Sequence, residues 1–197
     1  MLNFIPKDVN SQPWIGSFFD KITPNHNMKL LFCLISVILG SFLLIISSKI
    51  KVPLYPVPMT LQPLAVLLIA MLYGRNLAVM TVGLYIFKGI LGFSVFAYGG
   101  GFMYLFGPTG GFILGFFISA LVVGYLADMN WGRTLLRSIV CMMIGMTIIY
   151  FFGIFQLSIM KGFNYALLKG FYPFLLGDFY KLVLLGIIIP YVWKFSK

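Results

Sequence analysis

Six apolar runs, near Met28 to Ser48, Leu61 to Tyr73, Leu77 to Phe93, Thr109 to Ala127, Leu135 to Ile159 and Phe174 to Trp193, take up most of the chain. A helix rises about 1.5 Å per residue, so roughly 20 apolar residues cross the hydrocarbon of a bilayer. Backbone groups at that depth have no water to pair with, and helices satisfy them internally. Composition agrees: 61% of the 197 residues are hydrophobic and 9% are charged, against about a quarter charged in a soluble domain. The expected fold class is an all-α integral membrane protein, a six-transmembrane-helix bundle that forms one substrate-binding domain over residues 28–197. The second run is short for a full crossing, and Gly74-Arg75-Asn76 is a tight polar break rather than a long loop. Two shallow or tilted helices are the alternative there.

Six crossings with the amino terminus inside leave both termini cytoplasmic. The inner side then carries Lys7, Lys21, Lys29, Arg75, Arg133, Arg137, Lys194 and Lys197, and the outer side Lys49, Lys51, Lys161 and Lys169. This distribution follows the positive-inside bias, and the inverted topology breaks it. The net charge of +10 thus reports topology and attraction to the inner leaflet. Scattered basic residues form no stripe for nucleic acid. Cys33 and Cys141 both lie inside apolar runs, as small buried hydrophobes rather than a disulfide or metal site.

Residues 1–27 form a polar leader with Pro6, Asp8, Pro13 and Asp20, and lack the basic start and apolar core of a signal peptide. Trp14, Ile15, Phe18, Phe19 and Ile22 recur at helical spacing after Pro13. They predict a short helix in the inner membrane interface, with Lys21 and Lys29 toward the headgroups.

Two segments are irregular. Lys51 to Pro63 holds four prolines, which remove backbone donors and favour an extended path that cannot face lipid at depth. It is either a stiff connector or a lid that closes Thr60 and Gln62 over a ligand. Between Gly92 and Gly111, the three glycines Gly99, Gly100 and Gly101 let a ligand approach the main chain. Phe96, Tyr98, Phe102 and Tyr104 suit stacking on a flat ligand, and equally suit an interfacial aromatic belt. No Gly-Lys-Ser or Gly-Lys-Thr follows the glycines, so this is no phosphate loop. Small residues recur four apart at Gly111 and Gly115, and at Ser36 and Gly40. Such pairs let helices pack closely within the chain, or, for Ser36 and Gly40, against another membrane subunit.

Catalytic groups are scarce. The chain has one histidine, His26, in the leader; it has no glutamate; and Asp8, Asp20, Asp128 and Asp178 are its aspartates. No nucleophile and base can be assembled in the membrane, and no metal set is present in the sequence. The expectation is a binder or conduit without metal or cofactor, not an enzyme.

Asp178 and Lys181 stand out because they are opposite charges deep in the last run, spaced so that a helix puts them on one face. Each charge near a bilayer centre costs roughly 2.5–3.5 kcal/mol on insertion scales. A helix beginning at Pro173 places them about 7.5 and 12 Å along its axis, in the outer half. As a structural pair they would only neutralise each other. As a site, the aspartate accepts N–H donors and the lysine attracts a carboxylate, which suits an amide-like head and an acidic tail. Lys88, after Tyr85 on the third run, is a second deep cation, expected to snorkel to the outer surface.

Pro58-Met-Thr-Leu-Gln62, the Gly74-Arg75 break, Tyr85, Val95-Phe-Ala97 before the glycines, Gly107-Pro-Thr-Gly-Gly111 and Pro173-Phe-Leu-Leu-Gly-Asp-Phe-Tyr-Lys181 together resemble the BioY family over about residues 28 to 195. These are the biotin-capture subunits of energy-coupling-factor transporters in prokaryotic cell membranes. The resemblance implies a six-helix biotin-binding protein with its cavity near the outer face. Asp178 and Lys181 would contact biotin, and Phe96 and Tyr98 to Gly101 would form a wall with Tyr85, Thr60 and Gln62 nearby. Some relatives carry an asparagine near the position of Tyr98, so the tyrosine hydroxyl or backbone N–H groups would take over that contact. Leu54 to Gln62 would act as the gate. The implied partners are a coupling transmembrane subunit and an ATPase pair, with Ser36 and Gly40 as a contact strip. Alternatives are capture of another vitamin, separable by a binding panel, and a structural membrane subunit that binds no small ligand.

Overall fold

The computed structural model describes residues 14–22 and 25–194. Pro6, Lys7, Asp8, Pro13 and Lys197, and the side chains of Asp20 and Lys21, lie outside the described residues. In chain order the elements are α1 (Trp14–Ile22), α2 (His26–Lys49), β1 (Lys51–Val52), β2 (Met59–Thr60), α3 (Gln62–Ile90), α4 (Gly110–Asp128), α5 (Leu135–Lys161), α6 (Phe163–Gly170) and α7 (Tyr172–Lys194). Short 3-10 turns occupy Phe102–Phe106 and Trp131–Arg133. Among the described residues, five helices, α2, α3, α4, α5 and α7, are long and apolar enough to cross a membrane.

The second and third apolar runs are the two arms of α3. Gly74 sits inside it at φ 74°, ψ 178°, a region essentially reserved for glycine. The arms fold back on each other there. Gln62 donates Nε2–H to the Tyr85 hydroxyl at 2.6 Å across 23 residues, a separation of about 35 Å along a straight helix. The Asp128 carboxylate, at the end of α4, accepts the Arg75 backbone N–H with 3.3 Å to each oxygen, satisfying a donor that opens the second arm. A Cβ on Gly124 would stand 2.7 Å from Arg75 Cα, so α4 can touch the turn only with glycine there.

Because α3 returns, the end of α2, both outer ends of α3 and the starts of α4 and α7 gather at one end of the bundle. Gly74, Asp128 and the Trp131–Arg133 turn lie at the other, where Gly132 packs on Trp193. Capping and proline shape the helix starts: Asn25 accepts the Asn27 N–H at 3.0 Å to open α2, and Pro63 stands in the first turn of α3.

Close packing sets the distances between helices. A Cβ on Gly115 would lie 2.8 Å from Ile149 Cα, and one on Gly111 would meet the Phe152 carbonyl, so α5 approaches α4 backbone to backbone. Ser36 and Gly40 point inward. The Tyr73 hydroxyl donates to the Ser36 carbonyl at 3.2 Å, and a Cβ on Gly40 would stand 2.7 Å from Thr81 Cγ2. This strip is therefore used against α3 rather than left for another subunit. The expected helix in the leader is α1, whose buried Ile15 and Phe19 pack toward α2 and α3, with Phe19 stacked on Phe32 at 5.4 Å.

Candidate functional site

A cavity opens at the gathered end of the bundle, with about 550 Å³ of space not filled by atoms, its mouth included. Val57, Pro58 and Thr60 line it from the β1–β2 hairpin, Gln62 and Pro63 from the start of α3, and Phe96 and Ala97 from the segment after α3. Tyr104, Thr109, Phe112, Ile113 and Phe116 contribute from the 3-10 turn and α4; Met146, Ile149 and Tyr150 from α5; Phe174, Asp178 and Lys181 from α7. The wall is mostly aromatic and aliphatic with a few converging polar groups, the usual make-up of a small-molecule site.

Asp178 is 5% exposed. Lys181 Nζ donates to Asp178 Oδ1 at 2.6 Å and to the Thr60 backbone carbonyl at 2.9 Å. The Tyr150 hydroxyl donates to Asp178 Oδ2. Both carboxylate oxygens are thus held, from α7 and from α5, and Lys181 ties the last helix to β2. The i,i+3 spacing brings the two charges together, and the packing of α5 against α7 puts Tyr150 beside them. Tyr150 packs edge-on against Phe171 at 5.0 Å, which fixes its ring. Sequence reasoning missed Tyr150: a lone tyrosine in an apolar helix has the pattern of a membrane belt residue, and only its position one helix away from Asp178 marks it.

Thr60 and Gln62 stand in the wall rather than on a separate lid. Thr60 Oγ1 accepts the Gln62 N–H at 3.2 Å and donates to Gln62 Oε1 at 3.3 Å. Tyr85 lies behind them, fully buried, donating at 3.4 Å to the Val95 carbonyl. Its ring meets Phe96 edge-on at 5.5 Å, and Phe96 stacks on Tyr104 at 4.8 Å. Gly89 makes room for Phe96, whose ring would collide with a Cβ there.

The glycine triplet serves a turn rather than the wall. Phe96 and Gly99 pair backbone to backbone, Gly99 and Gly101 take positive φ, and a Cβ on Gly100 would strike the Phe93 carbonyl. Tyr98 is 54% exposed, outside the cavity lining, with its ring 3.6 Å from Lys51 Nζ. The cavity therefore brings together Asp178, Lys181, Thr60, Gln62 and Phe96, and leaves Tyr98, Gly99, Gly100 and Gly101 beside it with Tyr85 behind. Lys88 donates to Ser41 Oγ at 2.8 Å and lies over the Phe42 ring at 4.6 Å, away from the cavity.

One carboxylate beside one ammonium, an amide and hydroxyls offers both donors and acceptors within aromatic walls. Residues 23–197 match the model of the BioY family. The chain is 37% identical over 117 residues to the biotin transporter BioY of Thermotoga maritima, covering 59% of this chain and 68% of that one. It is 30% identical over 160 residues to the probable biotin transporter BioY of Rickettsia prowazekii, covering 81% and 82%. Its fold is similar to that of the S-component for biotin from an ECF-type ABC transporter, with a TM-score of 0.73 at 21% identity over 87% of this chain and 95% of that one. From its residues 23–197 to these relatives, this chain belongs to the BioY family.

Proposed function

We propose that this chain is a membrane substrate-capture subunit that binds biotin from the outer side of a prokaryotic cell membrane and delivers it to ATP-driven uptake. The observation that carries the reading is the Asp178, Lys181 and Tyr150 cluster set into an aromatic cavity in a chain of the BioY family. Biotin has a compact ureido-thiolane body for Phe96, Tyr104 and Phe112 to enclose. Its ureido N–H groups find an acceptor in Asp178, and its ureido oxygen a donor in Lys181. The pair is already charge-balanced, so a neutral head enters without leaving a buried charge exposed.

The arms of α3, residues 62–73 and 75–90, count as two tilted crossings in this reading, making six with both termini cytoplasmic. Their reversal at Gly74 and the placement of Arg75 opposite the cavity support it, as does the positive-inside bias. Residues 54–59 of the hairpin, ahead of the wall residues Thr60 and Gln62, form the gate over the outer mouth. Import requires a coupling transmembrane subunit and an ATPase pair, since the sequence carries no nucleotide-binding loop; the outward apolar face of α2, rather than Ser36 and Gly40, is left for lipid or such a subunit.

Competition of labelled biotin with a panel of unlabelled vitamins on the purified protein tests the ligand. Displacement by biotin alone is expected, and displacement by a different vitamin at lower concentration overturns biotin as the substrate.

A further inference from the structure

The polar groups that join the outer ends of the two arms of α3 form a chain of hydrogen bonds whose direction is set at one end. The Val95 carbonyl can only accept. It takes the Ser48 hydroxyl proton at 2.7 Å and the Tyr85 hydroxyl proton at 3.4 Å. With its proton spent there, the Tyr85 oxygen is left to accept, and Gln62 Nε2 donates to it at 2.6 Å. The Gln62 amide is thereby turned with its nitrogen toward Tyr85 and its oxygen toward Thr60. Thr60 Oγ1 donates to that oxygen at 3.3 Å and accepts the Gln62 backbone N–H at 3.2 Å.

Gln62 and Thr60 line the cavity, whereas Tyr85 is fully buried behind them. Thr60 spends its one proton on Gln62 Oε1, and a carbonyl oxygen keeps a second lone pair after accepting once. The corner made by the two residues therefore offers the cavity an acceptor. It stands next to the charged pair, because Lys181 Nζ lies 2.6 Å from Asp178 Oδ1 and 2.9 Å from the Thr60 carbonyl. Turning the amide over would set Oε1 against a hydroxyl whose proton already belongs to Val95, two acceptors face to face in a dry interior. Tyr85 has no room to give way, since Phe96 holds its ring edge-on at 5.5 Å and itself fills the space over Gly89.

We propose that Tyr85 is a positioning residue for ligand recognition: it locks the Gln62 amide so that Oε1 serves the cavity as an acceptor, and this oxygen takes one ureido N–H of the ligand while Asp178 takes the other. The assignment rests on the biotin reading above and divides the two N–H groups between two acceptors on either side of Lys181. It makes the corner of Thr60 and Gln62 selective for a donor. A ligand that brings a lone pair there meets another lone pair, and Tyr85 prevents the amide from turning to accommodate it.

Two analogues of the same shape separate this role from a structural one: the cyclic carbamates of biotin in which a ring oxygen replaces one or the other ureido N–H. Affinities for biotin and both carbamates are measured by calorimetry on the full chain in nanodiscs, for wild type, Tyr85→Phe, Gln62→Met and the double variant. Wild type is expected to prefer biotin to each carbamate by about 10- to 100-fold. In Tyr85→Phe the freed amide can turn its N–H to the ring oxygen, so the preference against one carbamate shrinks to a few-fold. The preference against the other, set by Asp178, persists. Gln62→Met gives the same pattern, and adding Tyr85→Phe to it changes neither preference, because Tyr85 acts only through Gln62. Both preferences intact in Tyr85→Phe, or absent in wild type, overturn the proposal. Equal weakening of all three ligands in Tyr85→Phe, or loss of its folded state, also overturns it, because the hydroxyl then supports the wall rather than the amide. A further change of preference in the double variant does the same. Binding of none of the three ligands by folded wild type refutes the biotin reading itself, and the assignment with it.

Discussion

Lys181→Met removes the ammonium and keeps the length and apolar stem of the side chain. The Lys181 and Asp178 side chains are 11% and 7% exposed, so the remaining carboxylate stays buried with only the Tyr150 hydroxyl as a partner. Breaking a buried pair in this way costs about 3–5 kcal/mol. The Thr60 carbonyl loses its donor as well, adding about 1 kcal/mol. For a chain of this size each kcal/mol moves Tm by roughly 2–4 °C, so a fall of about 8–24 °C is expected. The double variant Asp178→Leu, Lys181→Met removes both charges and is expected to recover most of that loss, within about 2 kcal/mol of wild type. Neither variant binds biotin. Thermal unfolding in detergent, followed through reaction of the fully buried Cys141 thiol with a fluorogenic maleimide in a Cys33→Ser background, reads the stabilities. A double variant as unstable as the single one refutes the reasoning, because the cost then does not come from the stranded carboxylate.

Tyr150→Phe keeps the ring against Phe171 and removes the hydrogen bond to Asp178; biotin affinity is expected to fall roughly 10-fold with Tm shifted by only a few degrees, measured by calorimetry and the same unfolding assay. Single cysteines at Tyr55, 82% exposed, and at Arg75 test the six-crossing topology in a cysteine-free background. In intact cells an impermeant maleimide is expected to label the first and spare the second, and labelling of both from outside contradicts a reversal of α3 within the membrane.

Much of the bundle is legible in the sequence because a bilayer imposes a length and a composition on each crossing. The runs starting at Met28, Thr109, Leu135 and Phe174 match α2, α4, α5 and α7 to within two residues at each end. The break at Gly74 is legible as punctuation, but its meaning depends on a backbone angle and on the Gln62–Tyr85 contact, which join residues far apart in the chain. The site follows the same division. Asp178 and Lys181 are neighbours on one helix turn and so can be paired from spacing alone. Tyr150, Tyr104 and Phe112 reach the cavity from other elements, and an aromatic on an apolar helix looks the same whether it faces lipid or ligand. The glycine triplet reads as room for a ligand, whereas positive φ at Gly99 and Gly101 and the contact of Gly100 with Phe93 assign it to a turn.

Equilibrium binding of labelled biotin to the purified, monodisperse protein, compared with Asp178→Asn and Lys181→Ala, tests the central claim most directly. Saturable binding near one biotin per chain in wild type, lost in both variants while each remains folded and inserted, is the predicted result. Unchanged affinity in both variants, or no saturable binding in folded wild type, contradicts the account.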